Sequence, residues 1–170
     1  MMYEVQAAIC IVCLVLSGYG KGQCAGSDQV SCTCSCPSVT PKVVAFSVMR
    51  TTPMGPLNAD TIISFDRILS NTGSGFNQQT SKFTAPLSGT YVLSMSVSST
   101  NNGLSWVRMY KNTENLVSVH AYGKPYAMAS NQVIVPLMEG DTVWLDLAAT
   151  SAIFGQGGPR IYNTFSGFKL

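Results

Sequence analysis

His120 is the only histidine in the chain, so any Ser-His-Asp or Cys-His chemistry would have to pass through it. No Gly-x-Ser-x-Gly motif accompanies it, and all six cysteines fall within the first 36 residues. A strand-end or loop histidine is therefore favoured over a general base, and the expectation is a protein that is not an enzyme. Binding chemistry is better represented. His120, Tyr122, Lys124 and Tyr126 put polar-tipped rings and a cation on one predicted loop, where rings could stack on the C–H faces of sugars and the cation could pair with an acidic sugar or a phosphate. Arg108 and Arg160 are further candidates for an anionic ligand, as is Lys111, although a lone cation on a strand is usually a solvated one.

Carboxylates offer less. Glu139, Asp141 and Asp146 lie close in sequence and raise the question of calcium, but a hard cation takes six or more oxygens and Glu-Gly-Asp is equally an ordinary polar turn. Calcium is left unsupported, and no metal or other cofactor is expected. Nothing marks either member of a carboxylate pair as buried, as a glycosidase would need. The chain has no Asn-x-Ser/Thr sequon, so N-linked glycans are not expected to cover its surface.

The cysteines belong with the start of the chain. Val5 to Leu16 is an apolar run of 12 residues, too short for a bilayer span and suited to the core of an export signal, with Gly18 and Gly20 placed for cleavage before Lys21. Secretion is the expectation, and no later stretch is a membrane anchor. Loss of residues 1–20 would leave Cys24, Cys32, Cys34 and Cys36 in a segment, 21–41, that is rich in Gly, Ser, Thr and Pro and cannot build a core. An oxidising compartment favours disulfides over zinc, and Cys-x-Cys-x-Cys neighbours are poorly placed to bridge one another, which points to bonds between chains.

Which elements must position the candidate ligand residues? The 170 residues suit one domain, and charged residues are only 11% of them against 46% hydrophobic. The net charge of +2 comes without a basic run, so nucleic acid is not an expected partner. From Val43 onward, short runs of Val, Ile, Phe, Tyr and Thr alternate with turn clusters, and no helical period survives. Tyr91, Leu93, Met95 and Val97 alternate with Ser94, Ser96 and Ser98, the mark of a strand with one wet face. Asn102-Gly103 predicts a tight turn that joins this strand to Leu104–Lys111 as a hairpin, and Met138–Asp141 predicts a second hairpin between 131–137 and 142–148. Further strands are predicted at 43–49, 61–65, 116–120 and 161–170, with loops at 71–75, 123–125 and 155–159. The chain as a whole is expected to hold about nine or ten short strands, at the spacing of a sandwich or closed barrel.

Three motifs in order carry a resemblance. The first is the spacing Phe65, Asn71, Phe76, Phe83, Gly89 and Tyr91; the second is Gly140-Asp141-Thr142-Val143-Trp144; the third is the closing Phe165-Ser166-Gly167-Phe168. Over 42–170 the chain resembles the globular head of complement component C1q. That resemblance implies an all-β, ten-stranded jelly-roll sandwich shared with tumour necrosis factor, with Phe65, Phe83, Tyr91, Trp144, Phe165 and Phe168 in its core. The sequence departs from the family at Leu93 and Met95, where aromatics are usual, and at Asn112-Thr113, where Asn-Gly is frequent.

The resemblance also implies a homotrimer and recognition of extracellular glycans, such as microbial polysaccharide, lipopolysaccharide or sialylated sugars, in innate immunity. With no collagen repeat, the chain is similar to the head-only secreted proteins of bivalve molluscs. The competing expectation is an extracellular-matrix component or a cytokine-like ligand built on the same trimeric head.

Overall fold

The computed structural model describes residues 42–101 and 103–170. The expected signal segment, the expected stalk and all six cysteines lie outside these described residues. The described chain forms eleven strands and no helix: β1 (Ala45–Arg50), β2 (Thr61–Ile62), β3 (Arg67–Thr72), β4 (Phe76–Asn77), β5 (Lys82–Thr84), β6 (Gly89–Ser98), β7 (Leu104–Lys111), β8 (Glu114–Tyr122), β9 (Met128–Leu137), β10 (Thr142–Leu147) and β11 (Asn163–Lys169). Two strands of only two residues bring the total above the expected ten.

Two antiparallel sheets face each other, one ordered β3-β1-β11-β6-β9 and the other β4-β5-β10-β7-β8, with β2 pairing to β10. This is the jelly-roll sandwich. At one side the two sheets are joined by Asn131, whose Nδ2 on β9 donates to the Ser118 carbonyl on β8 at 3.2 Å.

Both predicted hairpins are corrected by this order. Strand β6 is flanked by β11 and β9, so neither edge is open to β7, and the turn at Gly103 carries the chain from one sheet to the other. Likewise β9 pairs with β6 while β10 pairs with β7, β5 and β2, so Met138–Asp141 is also a crossover between sheets. The real hairpin is β7–β8, whose pair Lys111↔Glu114 closes across Asn112 and Thr113, with Asn112 alone at φ 52°. Strand β3 reaches Thr72 and so takes in the start of the predicted loop, and β8 runs on to Tyr122, so His120 and Tyr122 sit on a strand rather than a loop.

Alternation decides what is buried. Tyr91, Leu93, Met95 and Val97 are all at most 2% exposed, facing Val107 and Met109 of β7 and Val143, Leu145 and Leu147 of β10. Phe46 is the hub of the ring cluster, 4.4 Å from Phe83, 4.8 Å from Phe165 and 5.8 Å from Phe76. Phe65 packs on Phe76 and Phe165, and Tyr91 on Phe83. Two expected core residues are not in it. Phe168 is 47% exposed on the outer face of the first sheet, and Trp144 is half-buried on the outer face of the second. The cause is strand phase: Phe165 and Phe168 are three apart, so on one strand they take opposite faces.

Candidate functional site

The six candidate ligand residues divide between two surfaces. His120, Tyr122 and Arg108 lie on the outer face of the second sheet, and Lys124, Tyr126 and Arg160 lie on the loops that follow β8 and precede β11.

On the sheet face, strand alternation sends Trp106, Arg108 and Tyr110 outward while Ser105, Val107 and Met109 turn to the core. Register then builds a ladder. His120 stands opposite Trp106, with ring centroids 6.3 Å apart and edge-on, and Tyr122 stacks on His120 at 5.7 Å. The Arg108 guanidinium sits between Trp106 at 5.6 Å and Tyr110 at 5.7 Å. Tyr110 stacks on Trp144 at 5.9 Å, and Lys82 Nζ lies 4.1 Å above Trp144.

Arg108 is not a free cation. It is paired with Asp60 at 2.6 Å and with Asp146, which raises the guanidinium above its ordinary range, the hydrogen bond to Asp60 being the largest cause. The same bond lowers Asp60, whose carboxylate also accepts the Ala149 N–H at 2.8 Å. Asp146 is raised because burial outweighs its share of Arg108.

At the end of the sandwich, loops 123–127 and 154–162 meet through rings. Tyr126 packs edge-on against Phe154 at 4.8 Å, and Phe154 against Tyr162 at 5.5 Å. Local hydrogen bonds fix both loops: Ala127 donates to Ser99 Oγ at 3.0 Å, and Asn163 Nδ2 donates to the Phe154 carbonyl at 2.5 Å. Lys124 and Arg160 are exposed cations on these same loops, each two residues before Tyr126 and Tyr162 respectively, and neither 122–128 nor 151–162 contains an Asp or Glu.

Catalysis and calcium find little here. His120 is packed between rings rather than aligned on a hydroxyl. Glu139, Asp141 and Asp146 do not converge, since Asp141 binds Lys111, Asn112 and the Met138 N–H while Asp146 faces Arg108. Among the described residues, no group of three or more His, Cys, Asp or Glu is placed to hold a metal ion.

A family model described as "C1q domain" matches residues 45–170. The chain belongs to the C1q domain family. It is 36% identical over 130 residues to Caprin-2 of Danio rerio, 35% over 129 to complement C1q tumor necrosis factor-related protein 6 of Rattus norvegicus, and 31% over 133 to heavy metal-binding protein HIP of Mytilus edulis. The matches cover 74–75% of this chain but only 14%, 49% and 60% of those proteins, so the chain corresponds to part of each. Among solved structures, the globular domain of zebrafish complement 1qA matches with TM-score 0.57 and 26% identity, covering 75% of this chain and 96% of that one. Murine APRIL shares the fold at TM-score 0.57 and 15% identity, over 76% of this chain and all of that one. C1q-domain proteins are for the most part secreted, non-enzymatic binding proteins.

Within the C1q head, the signature residues are scaffold. Asn71 pins the turn before Phe76, and the Tyr91 hydroxyl donates to the Leu87 carbonyl at 2.7 Å, holding the corner before β6. Gly140 turns the crossover at φ 89°, a conformation that disfavours a side chain, and Asp141 caps it. Sequence reasoning missed Trp106, Tyr110, Lys82, Phe154 and Tyr162. For the first two a signal existed, the outward period-2 row Leu104, Trp106, Arg108, Tyr110.

Proposed function

We propose that this protein is a secreted, non-enzymatic recognition protein whose C1q head, assembled as a homotrimer, captures acidic glycans on microbial or cell surfaces at the sandwich end. The observation that carries the reading is the Tyr126–Phe154–Tyr162 ring cluster, with Lys124 and Arg160 exposed on the same two loops and no carboxylate in either. Rings supply stacking for a sugar's apolar face, and the exposed Lys124 and Arg160 supply partners for its carboxylate or phosphate. Family membership supports self-association, and three copies of a weak site gain by avidity on a repetitive surface. A location on loops braced by a rigid sandwich is where recognition residues commonly concentrate.

The test is a binding screen of the recombinant protein against sialylated oligosaccharides, lipopolysaccharide and uncharged glycans, repeated with a chelator. Acidic ligands should bind, weaken as salt rises, and lose about tenfold in affinity in Lys124→Ala/Arg160→Ala. Silence across the screen, with tight binding to a cell-surface protein instead, would favour the matrix or cytokine-like alternative. The chelator arm bears on metal binding, which the name of the Mytilus edulis relative raises.

A further inference from the structure

We infer that the outer face of the second sheet carries a separate saccharide site for an uncharged hexose chain, centred on Trp106, with Tyr122 as a second ring and the Asp60–Arg108 pair as its polar edge. The inference shares with the proposed function the premise of a glycan-recognising head, but it does not depend on the loop-end cluster.

Three observations carry it. Trp106 is 46% exposed and Tyr122 is 72% exposed on the flat of a sheet, two large rings that the fold's own core does not use. Both are braced: His120 stacks on Tyr122 and packs edge-on to Trp106, and the Arg108 guanidinium lies 5.6 Å from the Trp106 ring. A ligand meeting pre-set rings has little side-chain ordering left to supply.

Charge then selects among ligands. The Arg108 cation is answered by Asp60 and Asp146, so this face, unlike the sandwich end, has no surplus positive charge beside Trp106 to hold an anion. What it offers instead is an exposed acceptor held in place. The Asp60 side chain is 54% exposed and is fixed by the Arg108 guanidinium and the Ala149 N–H, so its carboxylate can accept from a sugar hydroxyl. A protein partner fits less well, because the aromatic run along β7 and β8 is interrupted at its next rung by the Arg108↔Ser118 pair, which is polar.

Calorimetric titration of the recombinant protein with neutral oligosaccharides of β-glucan and of mannan, and separately with a sialylated oligosaccharide, tests the assignment. At least one neutral chain should bind, Trp106→Ala should weaken it by about tenfold, and Trp106→Phe should recover most of the loss. The sialylated arm should be unaffected by both Trp106 variants. Neutral binding with a silent sialylated arm supports this site and defeats the loop-end reading alone. No heat from any neutral chain, or wild-type affinity in Trp106→Ala, overturns the inference.

Discussion

Asn71 and Phe76 exchange two hydrogen bonds across the turn between β3 and β4: Asn71 Nδ2 donates to the Phe76 carbonyl at 2.9 Å, and the Phe76 N–H donates to Asn71 Oδ1 at 3.0 Å. One side chain thus plays the part of a missing strand, satisfying both backbone groups of a residue whose ring is buried against Phe46 and Phe65. Only an amide offers donor and acceptor in that geometry.

Asn71→Ala should therefore cost about 1–3 kcal/mol, since it strands two part-buried backbone groups at once. Asn71→Asp, which keeps the acceptor but not the donor, should fall between the two. The check is the urea midpoint at constant m; a midpoint within error of wild type for Asn71→Ala would show that water replaces the side chain.

Gly167 faces the core from β11. A Cβ there would lie 2.6 Å from Leu93 Cδ2, 2.9 Å from Phe46 Cε1 and 3.0 Å from the Val92 carbonyl oxygen. The last is backbone of the paired strand β6 and cannot rotate away. Gly167→Ala should destabilise by about 1–3 kcal/mol through overpacking, seen as a lowered Tm with an unchanged far-ultraviolet spectrum. Unaltered thermal stability would mean that β11 can shift on β6 without loss.

Local chemistry was legible in the sequence and long-range partnership was not. Gly103 and Gly140 both take the positive φ that turn residues announce, at 75° and 89°, yet each turn crosses between sheets. A turn fixes a change of direction, while the neighbour of β6 is set by which strands bury its two edges, β11 and β9, the first 65 or more residues away in sequence. Strand phase explains Phe168, and register explains the ligand candidates. Arg108 reads as a free cation in one dimension because Asp60 and Asp146, its partners, arrive from other strands and loops. The ladder from Lys82 to Tyr122 is invisible for the same reason, being assembled across β5, β10, β7 and β8.

Asp141 gives a pH dependence with a definite sign. Its carboxylate accepts from Asn112 Nδ2 at 2.9 Å and from the Met138 N–H at 2.8 Å and pairs with Lys111 at 3.1 Å, which together lower its pKa from 3.8 to about 2. A depressed folded-state pKa means stability that is fully present above the unfolded value and is lost as pH falls from about 4 towards about 2. Wild type should be more stable than Asp141→Asn at neutral pH, and the gap should close across that window in urea titrations. A gap of constant size down to about pH 2 would assign the effect to the amide substitution rather than to the charge.

The outer face of the first sheet supplies the test of assembly. Phe168, Val92 and Ile134 form one register row across β11, β6 and β9, with Phe168 47% and Ile134 63% exposed. The next row is Ser166, Ser94 and Gln132, where the two serine hydroxyls lie 2.9 Å apart. An apolar row beside small hydroxyl side chains leaves space for close approach of another subunit, and the exposed half of the Phe168 ring is buried only if such a subunit covers it. Phe168→Asp and Ile134→Asp should each shift sedimentation from trimer to monomer while the folded-state spectrum survives, because both side chains point away from the core. Binding to a glycan-coated surface should then fall far more than binding to a single soluble oligosaccharide, since avidity is lost and the site is not. A wild-type protein that sediments as a monomer, or an Ile134→Asp variant that remains trimeric, would remove this face from the assembly.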